Sequence, residues 1–170
     1  MLTAESQQAF DLRIVLMGVA GCGKSSVGAA LGTALGVVYL DGDDLQPASN
    51  IAKMSRGVPL GDEDRWPWLA KVAKELQDRA PIVVGCSALK RRYRDFICAQ
   101  VGRQVLFVHL SGSREVIEAR MRARTGHFMP PTLIDSQFAA LEAPDPEERA
   151  ITVDIDQPIG GIVADILVRL

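Results

Sequence analysis

The octapeptide Gly18-Val19-Ala20-Gly21-Cys22-Gly23-Lys24-Ser25 is the part of the chain whose chemistry can be read most directly. It meets G-x-x-x-x-G-K-[ST] at every fixed position, a spacing with a mechanical reason behind it. Glycines let successive backbone N–H groups curl round phosphate oxygens, and the positive end of the next helix points at the same oxygens. Lys24 reaches the outer phosphates, and the Ser25 hydroxyl can ligate Mg²⁺. With 15 glycines among 170 residues, a shuffled chain of this composition would show the pattern roughly three times in a thousand. Gly18, Val19, Ala20, Gly21, Cys22, Gly23, Lys24, Ser25 and Ser26 are therefore the candidate nucleotide-binding segment, with Cys22 a tolerated small residue and not a reagent.

Two carboxylates follow. Asp41-Gly42-Asp43 comes after a second apolar run. One of the two can order Mg²⁺-bound water while the other accepts a hydrogen bond from a substrate hydroxyl. Asp and Gly also suit a plain solvated turn. Arg120 and Arg124, four apart, share a face if their segment is helical, and residues 125–131 beyond them are punctuated by glycine and proline. Phosphoryl transfer needs cations over the migrating charge and water kept out, which an arginine-bearing lid over about residues 120–142 would supply. Lys90, Arg91, Arg92 and Arg94 form a further basic group whose arginines suit a carboxylate acceptor, although such cations often meet only water.

These groups need a frame. Residues 13–17 (RIVLM) are a continuous apolar run ended by the glycine turn, the pattern of a strand buried on both faces. Residues 25–35 place Val27, Leu31, Ala34 and Leu35 at helical spacing, with Gly36 as the stop. Further strands are expected at 37–40, 81–85, 105–110 and 151–155. Helices are expected at 67–79, with Pro67 in the first turn, and at 89–100, 114–124 and 159–170. Residues 1–11 read as a loose terminus and 125–142 as a mixed segment. The alternation predicts right-handed βαβ units, hence a three-layer α/β fold with a parallel five-stranded sheet and helices on both faces, in one domain over 1–170. Ligands then bind where the loops after 17, 40, 85 and 110 converge. Trp66 and Trp68 read as hydrophobic anchors at a helix start, and His109 as a packed core histidine.

Composition narrows the function classes. At 18.4 kDa, 48% hydrophobic and 24% charged, with mean hydropathy +0.11, the chain is globular. A net charge of −2 and a pI near 5.7 argue against a nucleic-acid partner or a polybasic membrane binder. Its apolar runs are too short to cross a bilayer, and the first twelve residues lack a signal peptide's features. Cys22, Cys86 and Cys98 form no C-x-x-C pair, which fits a reduced, cytoplasmic location. Two histidines far apart do not make a zinc site. Asn50, the only asparagine, is not part of an N-K-x-D base reader, which excludes a GTPase; the apolar run at 81–85 leads into Cys86-Ser87, not the acid of a motor-type ATPase.

The sequence resembles the gluconate kinases. The resemblance is carried by Asp41-Gly42-Asp43…Pro47…Asn50…Lys53-Met54…Gly57…Pro59-Leu60…Asp62…Asp64-Arg65…Pro67-Trp68-Leu69 and by Cys86-Ser87-Ala88-Leu89-Lys90…Tyr93-Arg94-Asp95. Gly126-His127-Phe128-Met129, Ser136-Gln137-Phe138…Leu141-Glu142…Pro144 and Val153-Asp154-Ile155-Asp156-Gln157-Pro158 extend it over about residues 13–170. It implies ATP- and Mg²⁺-dependent phosphorylation of D-gluconate at the 6-hydroxyl, a shikimate-kinase-like P-loop kinase fold with strand order 2-3-1-4-5, and a homodimer. It casts Lys24, Asp43, Arg120 and Arg124 as catalytic residues and Ser25 and Asp41 as the metal-holding pair. Together with charge logic it places Arg65, Lys90 and Arg94 around the sugar acid, with Asn50, Lys53, His127 and Gln137 as further candidates beside Asp43. Gln46 departs from the family's D-G-D-x-x-H-P, since glutamine keeps hydrogen bonds but cannot carry charge; Gly61 stands where Asn is common. The competing readings are a kinase for another small polar acceptor, of the shikimate or adenylyl sulfate type, and a non-catalytic ATP-binding regulator. The Asp41/Asp43 pair and the arginine helix speak against the second.

Overall fold

The computed structural model describes residues 11–124 and 131–170. Its central strand, β1 (Arg13–Met17), is buried along its whole length. Successive side chains of a strand point to opposite faces, and Ile14 and Leu16 accordingly enter one core while Val15 and Met17 enter another. Apolar runs also form β2 (Val38–Asp41), β3 (Ile82–Gly85), β4 (Leu106–Ser111) and β5 (Ala150–Asp154). All pairings are parallel, in the order β2-β3-β1-β4-β5.

Seven helices are described: α1 (Lys24–Leu35), α2 (Ala48–Ser55), α3 (Asp62–Asp78), α4 (Arg91–Val101), α5 (Arg114–Ala123), α6 (Pro131–Ala140) and α7 (Ile159–Leu167). α1 and α7 cover one face of the sheet through Val27, Leu31, Ile162 and Ile166. α3 and α4 cover the other through Trp68, Leu69, Val72, Leu76 and Ile97. Each such fully buried side chain contributes roughly 1.5–3 kcal/mol. Leu16 and Asp41 both pair with Gly85, so the carboxyl ends of β1, β2 and β3 lie side by side, where ligands bind in open parallel sheets.

All five expected strands form, each displaced by one residue or less. One helix start is corrected: α3 begins at Asp62, and Pro67 lies inside it. Asp62, Glu63 and Asp64 complement the positive end of the helix, and Asp64 Oδ2 accepts the Gly61 N–H at 2.9 Å, so the acids and not the proline set the first turn. A 3₁₀ turn (Gly42–Leu45), α2 and α6 add helical structure beyond the expected helices. The expected loose terminus, the centre of the expected lid and His127 lie outside the described residues, except Asp11 at the terminus' end.

Candidate active site

Between β1 and α1 the glycine loop is tied down at its start, where the Gly18 N–H donates to the Ser87 carbonyl at 3.2 Å. Gly18 has φ +145° and Gly23 φ +99°, conformations that cost other residues free energy. A Cβ at Gly18 would meet the Leu110 carbonyl at 2.8 Å, and one at Gly23 would lie 3.3 Å from Arg120 Nη1. Lys24 Nζ folds back over the loop and donates to the carbonyls of Gly18 (3.0 Å) and Val19 (3.1 Å). Cys22 is buried in the core beneath. Burial pushes the nearby Cys86 thiol up to about 12, so it is no nucleophile at neutral pH.

The acidic turn is a built structure and not a solvated loop. Asp41 Oδ1 accepts the Asp43 N–H at 3.0 Å and Oδ2 accepts from Ser25 Oγ at 2.9 Å, so one carboxylate starts the 3₁₀ turn and meets the first turn of α1. Trp68 Nε1 donates to the Gly42 carbonyl at 2.7 Å, pinning the turn from α3. Surrounding protein and the neighbouring charge of Asp41 push the Asp43 carboxyl above its ordinary range; Lys24 pulls it down, and Asp44 adds a smaller push upward. An elevated carboxyl pKa is the direction a proton acceptor working near neutrality requires.

A solvent-open cleft collects these groups. Lys24 and Ala20 from the loop, Asp43 and Gln46 from the turn, and Arg65 and Trp68 from α3 line it, with Gln137 from α6. Gln137 Oε1 also accepts the Ala20 N–H at 2.5 Å. Arg65 stacks over the Tyr93 ring at 5.3 Å, and its buried Nε has no hydrogen-bond partner among the described residues.

Other residues expected at the acceptor are placed elsewhere. Arg94 is 1% exposed; its Nε and Nη2 donate to Glu148 at 2.6 and 3.0 Å, and Nη1 donates to the carbonyls of Ala88 and Leu89. Buried charges demand such partners, so Arg94 is a structural residue and not a substrate clamp. Lys90 lies 5.9 Å from the Tyr93 ring centroid, Arg92 pairs with Asp62 and Arg91 with Asp145; none of the four cations at 90–94 lines the cleft. Lys53 pairs with Asp64 at 2.8 Å, and Asn50 is buried behind Gln46. Arg120 donates to the Ile155 carbonyl, beside Gly23 and on the nucleotide side of the loop. Arg124 is exposed at the end of α5 and does not line the cleft.

Sequence reasoning missed Trp68, Ser87, Met54, Pro59, Leu60, Leu133 and Ser136 as cleft residues, and noted Gln46 only as a departure. Gln46 had a readable signal, since it stands three residues beyond Asp43 on one tight turn. Of the apolar walls, Met54, Pro59, Leu60 and Trp68 stand in the motifs that carry the resemblance, while Leu133 had no signal.

A family model described as an AAA domain matches residues 14–144. The chain is 42% identical to the probable gluconokinase of Xenopus tropicalis, covering 90% of each chain. It is 45% identical to the thermosensitive gluconokinase of Escherichia coli, over 87% of this chain and 81% of that one. The crystal structure of a gluconokinase from Sinorhizobium meliloti superposes with a TM-score of 0.87 at 50% identity, covering 94% of this chain and 91% of that chain.

Proposed function

The chain belongs to the gluconokinase family, and from that membership we propose that it transfers the γ-phosphoryl group of ATP to the 6-hydroxyl of D-gluconate, releasing ADP and 6-phospho-D-gluconate. The observation that carries the reading is that Lys24 of the phosphate loop and Asp43 of the acidic turn line one cleft with Arg65. A phosphoryl donor and an alcohol acceptor can therefore meet there.

The loop amides and the N-terminus of α1 hold the phosphates. Lys24 exchanges its loop carbonyls for β/γ oxygens, and Arg120 binds the nucleotide beside Gly23. Asp43 orients the sugar hydroxyl in line with the γ-phosphorus and takes its proton as the new P–O bond forms and the bond to the ADP oxygen breaks. Its base strength matters late, because the transition state is loose. Arg65 receives the sugar-acid carboxylate. Ser25 and Asp41 are the residues that would hold Mg²⁺, and their 2.9 Å contact suits a cation taking its remaining ligands from phosphates and water. When bound, the ion neutralises charge on the phosphates. A lid over about residues 120–142 of a single domain belongs to the proposal; of its described flanks, Gln137 Oε1 accepts the Ala20 N–H of the loop, and Arg120 Nη1 stands where a Cβ on Gly23 would lie 3.3 Å from it.

A homodimer is part of the proposal on family grounds. So is a cytoplasmic location, supported by three free cysteines; among the described residues no helix is long and apolar enough to cross a membrane. The test is a coupled assay of ADP release with Mg²⁺ and D-gluconate, other sugar acids serving as controls, with the product identified as the 6-phosphate. Folded, ATP-binding protein that never phosphorylates an aldonate would overturn the proposal.

A further inference from the structure

Gln46 closes the 3₁₀ turn that carries Asp43, its N–H donating to the Asp43 carbonyl at 3.1 Å. Residues three apart in a 3₁₀ turn eclipse one another, and both side chains line the cleft. Gln46 is only 9% exposed, so the atoms it offers are offered to protein or to a cleft ligand.

Which end of its amide faces the cleft follows from a relay of hydrogen bonds. Asp64 is held at the start of α3, its Oδ2 accepting from Lys53 Nζ at 2.8 Å and from the Gly61 N–H at 2.9 Å. The Asp64 backbone carbonyl lies 2.8 Å from Asn50 Nδ2. A carbonyl only accepts, so the Asn50 atom facing it must be the nitrogen. The second hydrogen of that nitrogen reaches Gln46 Oε1 at 2.8 Å. That contact turns Gln46 Oε1 toward Asn50. What remains is Nε2, which has two donors and no acceptor, and it makes no hydrogen bond to the described residues.

We propose that Gln46 Nε2 donates to the hydroxyl oxygen on the carbon next to the one bearing the reacting hydroxyl, and that Asn50 is the positioning residue that sets this polarity. The inference rests on the sugar-acid reading above and sharpens its substrate class. Asp43 accepts from one hydroxyl while Gln46 donates to its neighbour, so the turn matches a vicinal diol at the end of the acceptor. Being an amide, Gln46 does this without titrating.

The test compares D-gluconate with its 5-deoxy analogue, using the wild-type protein, Gln46→Leu and Gln46→Met. Wild type should lose roughly ten- to a hundredfold in kcat/KM on the analogue, the cost of one buried donor left unpaired. Gln46→Leu should lose a similar factor on D-gluconate itself, mostly in KM, and then discriminate the two acids hardly at all, with KM for ATP unchanged. Gln46→Met, similar in length and without an N–H donor, should show the same collapse of discrimination; it carries the comparison if the leucine variant does not fold. Gln46→His should restore binding and make KM for the acid depend on pH. Discrimination that persists undiminished in both Gln46→Leu and Gln46→Met overturns the inference while leaving the gluconate reading intact. A folded wild-type protein inactive on D-gluconate fails the functional reading instead.

Discussion

Arg65 and Arg94 stand in neighbouring helices, and both were candidates for the carboxylate of a sugar acid, yet the fold gives them opposite work. Arg94 is enclosed, with every nitrogen committed to Glu148 or to backbone carbonyls. Arg65 is half-buried at the cleft and keeps an uncommitted Nε. The contrast separates two uses of a buried guanidinium: a fully satisfied one holds structure together, and a partly satisfied one is prepared for a ligand.

The contrast can be broken in several ways. Asp43→Asn should show the largest effect, a fall in kcat of about 10²- to 10⁴-fold with an unaltered or slightly raised melting temperature. A fall in stability instead would return Asp43 to the structural side. Arg94→Ala should cost about 3–5 kcal/mol in urea unfolding, because it strands Glu148, while the material that folds keeps its KM for the acid. A raised KM in well-folded Arg94→Ala would erase the distinction. Arg65→Ala should do the reverse, raising KM for D-gluconate roughly ten- to a hundredfold with little change in melting temperature.

Two pH experiments probe smaller effects. The Asp43 carboxyl is raised and must be ionised to accept a proton, so kcat/KM should climb with pH through a value above the ordinary carboxylate range. An acid limb at the usual carboxylate value would remove Asp43 as the base. Glu148 is held below its ordinary value chiefly by its hydrogen bond from Arg94. Its stabilisation is therefore complete above that ordinary value, near 4.5, and fades as pH falls through the lower folded value. Glu148→Gln should flatten this acid-side decline in unfolding free energy; an unchanged slope would dissociate the pair from acid stability.

The phosphate loop, the five strands and their parallel arrangement were legible because each depends on short-range pattern: glycines at fixed spacing, apolar runs ended by turns, helical stripes between them. The turn carboxylates were legible for the same reason. The basic stretch at 90–94 was not, because a charged residue's role depends on what faces it. Glu148 lies 54 residues from Arg94, and no local pattern announces it. α6 was read as a mixed segment because only Leu133 and Ile134 of its ten residues are buried, too few for a helical stripe.

Local chemistry thus determined that this chain cradles phosphate groups and sets an acid beside them, since backbone conformation and side-chain type act over a few bonds. The tertiary structure alone decided which cations stay available to a substrate and which way the Gln46 amide points. Both depend on desolvation and hydrogen-bond partners brought together from distant parts of the chain, and burial makes each such pairing close to all-or-none.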